Sequence, residues 1–207
     1  MSIGCGQTNK KYRHIANALT LHAIFCDTSN FIRATIKNLK TLMSAIASFY
    51  LLDTSQLDEL RKSAEIIVKK SLFSKKVTDN YLDYLSNNAK ELQGFDGSGY
   101  IYGNLLVFLQ EEKNIDLTQN EYDDVAKELI DKRGSSHFIL TYKQKTAFIS
   151  QLDPSEYSLA VIQQFNQNFS EEGDAETASL THKAIEVLRD NLSMVQNDNQ
   201  ILLLIVG

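Results

Sequence analysis

The sequence predicts an α+β fold that is mainly α, with about eight helices and a small C-terminal β element. Three observations carry that expectation. Apolar residues recur at steps of three and four along most of the chain, the period of a helix with one buried face. A single proline in 207 residues leaves little to interrupt helices. Residues 201–206, by contrast, form an unbroken apolar run of strand length, apolar on both faces and therefore expected to be buried. The length and the 43% apolar composition suit one well-cored domain over 1–207. The glycine-rich stretch 94–99 divides it into subregions 10–94, helical, and 95–207, α+β.

Residues 10–26 read as the first helix, with Ile15, Leu19, Ala23 and Cys26 toward the core. Asp27, Thr28 and Ser29 are capping residue types, and a second helix over 30–52 comes next. Its stripe is Ile32, Ile36, Leu39, Met43, Ile46 and Tyr50, widened by Phe31, Ala34, Leu42, Ala45 and Phe49. A helix apolar nearly all round is either buried or docked on a partner; residues 42–52 favour the core, because the basic line Arg33, Lys37, Lys40 stops before them. Asp53-Thr54-Ser55 caps a third helix bearing Leu57, Leu60, Ala64, Ile67 and Leu72. A fourth runs from Thr78 toward Gly94, with Tyr81, Leu85, Ala89 and Leu92 inward.

A fifth helix is expected over 100–113, and a sixth after the capping pattern Thr118-Gln119-Asn120-Glu121, ending at Gly134. The segments 137–142 and 146–149 are rich in β-branched and aromatic residues and suit a hairpin; a single helix across 136–152 fits nearly as well. A buried strand at 201–206 needs a hydrogen-bonding neighbour, which favours the hairpin. Asp153-Pro154-Ser155-Glu156 opens a seventh helix with Tyr157, Val161 and Phe165 inward. The eighth lies beyond the acidic loop 171–176 and buries Ala184, Ile185, Leu188, Leu192 and Val195.

Charge is unevenly spread. Residues 1–93 hold 13 Lys/Arg against 8 Asp/Glu, and 94–207 hold 8 against 18, giving the overall −5. An acidic chain argues against a nucleic-acid binder; its acidic half suits either mutual neutralisation of two faces or a basic partner. Cys5 and Cys26 make no disulfide framework, which favours the cytoplasm. No apolar run is long enough for a membrane span. The start Ser2-Ile3-Gly4-Cys5 has the look of a lipoprotein signal's end, but lacks the charged and apolar regions that precede one.

Motifs for chemistry fall short one after another. Gly97, Gly99 and Gly103 miss the dinucleotide spacing, and the calcium-loop opening at Asp96 places Ile101 and Val107 where glycine and glutamate belong. His22 and Cys26, four apart, supply at most two metal ligands, with neither His14 nor His137 an evident third. Cys26 at a helix C-terminus beside Asp27 is a poor nucleophile. The pairs Lys69-Lys70 and Lys75-Lys76 lack the interleaved aromatics of a nucleic-acid platform. No catalytic, cofactor or metal site is therefore expected.

What remains is a protein that works by holding another protein. In size, acidity, Asn/Gln/Lys-rich composition and the order helix, polar turn, long apolar helix from Tyr12 to Tyr50, the chain resembles the small adaptors of the bacterial type IV secretion coupling complex, the LvgA type. That resemblance covers about the first quarter of the chain and implies recruitment of effectors, through a helical segment of a larger component. The aromatics Phe95, Tyr100 and Tyr102, with Phe49 and Tyr50 at the end of the apolar helix, are the candidate partner-binding residues. The alternatives are an immunity or inhibitor protein facing a basic toxin with its acidic half, and an effector enzyme using Gly97 to Tyr102 and His137.

Overall fold

A computed structural model describes residues 45–71, 74–171 and 173–207. The chain divides into units 1–43 and 44–207, and all described residues belong to the second. The first expected helix, most of the second, and the His14, His22, Cys5 and Cys26 readings lie outside the described residues.

The organising element is the strand at the C-terminus. Residues Gln200–Val206 (β6) run through the middle of a four-stranded antiparallel sheet. Ile201, Leu202, Leu203 and Leu204 are all fully buried. The expectation of a strand covered on both faces holds for the stated reason: successive side chains point to opposite faces, and both are packed.

The neighbour of β6 on one side is Ala47–Asp53 (β1), paired from Ala47 opposite Val206 to Asp53 opposite Gln200. This corrects the helix expected over 30–52, whose last residues are extended. A run in which only Ser44 and Ser48 interrupt the apolar residues from Leu42 to Leu52 satisfies a 3.6 period and a period of two equally well. Seven backbone partners on β6 decide it for the strand. On the other side of β6 lies Ser136–Thr141 (β5), in register from Ser136 opposite Val206 to Thr141 opposite Ile201. The hairpin expected within 137–149 does not form, and neither does a continuous helix. Thr141 instead caps Tyr142–Phe148 (α5): its side chain accepts from Gln144 N–H while the Gln144 side chain accepts from Thr141 N–H.

Asp53 ends β1 and caps the next turn, accepting from Ser55 N–H at 2.9 Å. That turn, a 3-10 helix, leads into Leu57–Ser63 (α1). The third expected helix stops there. Beyond Ala64 the β-branched run Ile66-Ile67-Val68 departs, and Ile67–Lys70 (β2) pairs with Lys75–Thr78 (β3) as a separate two-stranded ribbon. Tyr81–Asn88 (α2) is shorter than the expected fourth helix, because Lys90–Glu91 (β4) pairs with Tyr50 and Leu51 and completes a sheet of order β4-β1-β6-β5. Tyr100–Lys113 (α3) has the predicted bounds. Asp123–Arg133 (α4) ends as expected on Gly134, whose φ of 71° is a left-handed conformation glycine adopts without strain.

Leu159–Ser170 (α6) begins five residues beyond Pro154, which opens only a 3-10 turn. The inward stripe shifts accordingly: Tyr157 and Phe165 are buried as expected, but Val161 is exposed and Ile162 takes its place. Ala175–Ser193 (α7) is capped by Asp174 and buries Ala184, Ile185, Leu188 and Leu192, with Val195 just beyond it, as the periodicity required.

The sheet separates two cores. Phe49, Leu140, Leu202 and Leu204 meet α3, α6 and α7 on one face. Leu52, Ile139, Ile201 and Leu203 meet α1, α2 and α4 on the other. The architecture is thus α+β, with seven α-helices among the described residues rather than about eight. Its β element is a central layer drawn from positions 47 to 206, not a C-terminal addition.

Candidate functional site

Of the five aromatics expected to meet a partner, three are core. Phe49 and Tyr102 are fully buried and Phe95 nearly so. Tyr102 stands edge-on to Phe49 at 5.3 Å between ring centres and to Phe95 at 5.2 Å, the geometry that aromatic quadrupoles favour. Its hydroxyl, buried without a hydrogen-bond partner among the described residues, has its pKa pushed up by desolvation. Tyr50 is half-buried on the opposite face of β1, and Tyr100 is exposed. The loop that looked open is held down: Gly99 N–H donates to Ala45 C=O at 2.7 Å, and a Cβ on Gly99 would stand 3.0 Å from the backbone of Ile46 and Ala47. Glycine is there so that two backbones can touch.

His137 does not join that loop. It lies on the other face of the sheet, where its Nε2 is 2.9 Å from the Tyr81 hydroxyl and its Nδ1 is 2.9 Å from Ser135 C=O. A carbonyl only accepts, so Nδ1 carries the proton and Nε2 accepts from Tyr81. Burial holds the imidazole below its ordinary pKa and the Tyr81 phenol well above its own. The Arg133 guanidinium lies 4.8 Å from the centre of the Tyr81 ring and grips Asp79 with two bonds of 2.9 and 2.8 Å. These four residues form one connected group of chemistry-bearing side chains. Each is already occupied by another, and neither His137 nor Tyr81 is open to solvent. Among the described residues no group of three or more His, Cys, Asp or Glu is placed to hold a metal ion.

What the group does is anchor the ribbon. Asp79 comes directly after β3, and Arg133 fixes it to the end of α4. The other stem is held by the neighbouring Lys132, which donates to Arg61 C=O at 2.7 Å and pairs with Glu65 at 3.6 Å. Arg61 in turn is paired with Glu128, and Lys132 and Arg61 together lower the carboxyl pKa of Glu128. Two consecutive residues of α4 therefore fasten both ends of one arm.

The two strands of the arm are exposed at every residue apart from half-buried Thr78. Its loop closes where Ser71 N–H donates to Ser74 C=O at 2.8 Å. Cross-strand partners share a face, so one face carries Ile67 beside Thr78 and Lys69 beside Lys76, and the other Val68 beside Val77 and Lys70 beside Lys75. None of the four lysines has an ion-pair partner among the described residues. Sequence reasoning missed this surface, because Ile67 and Leu72 fit a helical stripe. The signals were there: three β-branched residues in a row, and lysine pairs placed symmetrically about Ser71 and Ser74.

No family model matches the chain, and no curated protein or solved structure shows significant similarity to it. Among the described residues no helix is long and apolar enough to cross a membrane.

Proposed function

We propose that this protein is a non-enzymatic adaptor or chaperone-like subunit that works in the cytoplasm by holding another protein, in the manner of the acidic adaptors of bacterial secretion systems that serve virulence. The observation that supports the reading is the contrast between the two polar features of the fold. The Tyr81–His137–Arg133–Asp79 group is spent on internal contacts, while the arm it anchors offers to the outside exposed aliphatics and lysines that form no ion pair among the described residues. Exposed Ile66, Ile67, Val68 and Val77, rimmed by lysines, have the mixed character of an interaction surface. The resemblance to type IV coupling adaptors implies a helical partner segment.

Affinity capture from cells of the source organism, with mass spectrometry of what co-purifies, tests the reading. A protein partner recovered reproducibly with the full chain is expected; recovering none overturns it. Circular dichroism of the captured partner's minimal binding segment, free and bound, then shows whether that segment is helical.

A further inference from the structure

We infer that the β2–β3 arm is a docking strand for an extended acidic segment of a partner protein, which adds to it as a third strand; this rests on the protein-holding reading and replaces a helical partner segment with an extended one. The ribbon pairs only with itself and not with the four-stranded sheet, so both its outer edges present backbone N–H and C=O groups to which no strand is joined among the described residues. A two-stranded ribbon with no buried face is marginal alone, and a third strand brings it to the smallest stable sheet. Side-chain chemistry then selects the strand. Lys69 opposite Lys76 and Lys70 opposite Lys75 place like charges directly across from each other, which destabilises the free ribbon. A neighbouring strand with carboxylates at the matching positions relieves that repulsion, whereas the arm of a second copy adds to it.

The register fixes the pattern. Along β2 the order is two aliphatics and then two lysines, with faces alternating. An added strand therefore needs two consecutive acidic residues, one for each face, next to two β-branched ones. Duplex nucleic acid is the weaker fit, because the arm carries no arginine to read bases bidentately and the chain as a whole is acidic.

The test uses the full chain and a fluorescent capped peptide, Glu-Glu-Val-Ile-Glu-Glu-Val-Ile. Anisotropy is expected to show saturable binding that weakens with added salt, with amides in 67–70 or 75–78 gaining protection from hydrogen exchange. Replacing all four lysines by glutamate (K69E, K70E, K75E, K76E) is expected to weaken binding at least about tenfold, since opposite-charge cross-strand pairs become like-charge ones. Those side chains are exposed, so the thermal midpoint should hold. The decisive probe is the same peptide N-methylated at alternate residues: it keeps its charge but cannot complete a strand ladder, and should lose binding. Equal binding of the methylated peptide overturns strand addition. Tighter, lysine-dependent binding to phosphatidylserine vesicles or to a DNA duplex overturns the choice of partner. No binding to the peptide overturns the inference and leaves the lysines as a device that keeps bare edges apart. If the four-lysine variant still captures the same protein from cells, the inference fails while the adaptor reading stands.

Discussion

Phe49→Ala separates a core position from a docking position. Phe49 is fully buried on β1, one of the two inner strands of the sheet, and is edge-on to Tyr102 at 5.3 Å. Emptying a fully buried phenylalanine site costs about 3–5 kcal/mol, the spread reflecting how far the neighbours collapse. Collapse is restricted here because β1 is held by pairing along its length to β6 and by β4 at Tyr50 and Leu51. The upper part of the range is therefore expected, and the lost ring contact points the same way. In a domain of this size each kcal/mol moves the midpoint by about 2–4 °C, so a loss of about 4–5 kcal/mol should lower Tm by about 8–20 °C. Tyr100→Ala is the matched control: Tyr100 is 43% exposed, and its loss should stay within about 0.5 kcal/mol. Urea titration followed by circular dichroism reads both. If Phe49→Ala leaves the transition in place, residues 47–53 are not a buried strand, and the helical, docking reading of that segment returns.

The polar group and the glycine loop yield further tests. Burial lowers the His137 pKa, so the unfolded chain binds a proton at higher pH than the folded one; stability is full above the ordinary histidine pKa and falls as pH drops below it. Denaturation midpoints at about pH 7.5 and about pH 5.5 should differ in the wild type, and differ less in His137→Gln. Arg133→Met removes a bidentate charge-assisted bond to Asp79 and a cation–ring contact with Tyr81; a loss of about 1–3 kcal/mol is expected, with earlier hydrogen exchange in 75–78. The Asp79 carboxyl is held below its usual range first by its bond to Arg133, so the anchor it forms is present at neutral pH and lost as pH falls through that lowered value. Gly99→Ala forces a methyl to within 3.0 Å of the Ile46 and Ala47 backbone and should lower Tm, whereas Gly103→Ala, with open space around it, should not. Differential scanning fluorimetry on the pair decides whether the 97–99 loop is held by that contact.

What could be read from the sequence depended on whether a segment's chemistry admitted one geometry or two. α7 was legible because its apolar residues repeat at helical spacing with polar ones between them, which no strand tolerates. β6 was legible because six apolar residues in a row, bounded by turn residues, are too short for a buried helix. β1 was not, because apolar residues at helical spacing lead into it with no turn residue between; only the need of β6 for a second partner identifies it, and that need is visible only in three dimensions. The arm failed for the opposite reason. Ile67 falls three residues after Ala64 on the stripe of α1, and nothing local says that the helix has already ended. The aromatics Phe95 and Tyr102 were misplaced at the surface because a glycine-rich stretch reads as an open loop. In the fold, glycine lets that loop lie against β1 and press the two rings into the core.

The placement of the anchor bears on how the arm can be used. Its two stems leave the body at Ala64 and Asp79, yet both are fastened to Lys132 and Arg133 at the last turn of α4, where cations are also favoured by the helix dipole. Beneath that turn, Tyr81 and His137 connect the same point to β5 and so to the central sheet. An arm hung from flexible stems would lose orientational entropy on binding a partner, a cost that tethering both stems to one rigid helix end removes beforehand. Among the described residues the strands above the anchor pair only with each other. A polar group with a buried Tyr81–His137 base, its members all hydrogen-bonded, under an exposed ribbon whose edges no strand joins among the described residues is the arrangement expected where the base must be fixed so that the edge can bind.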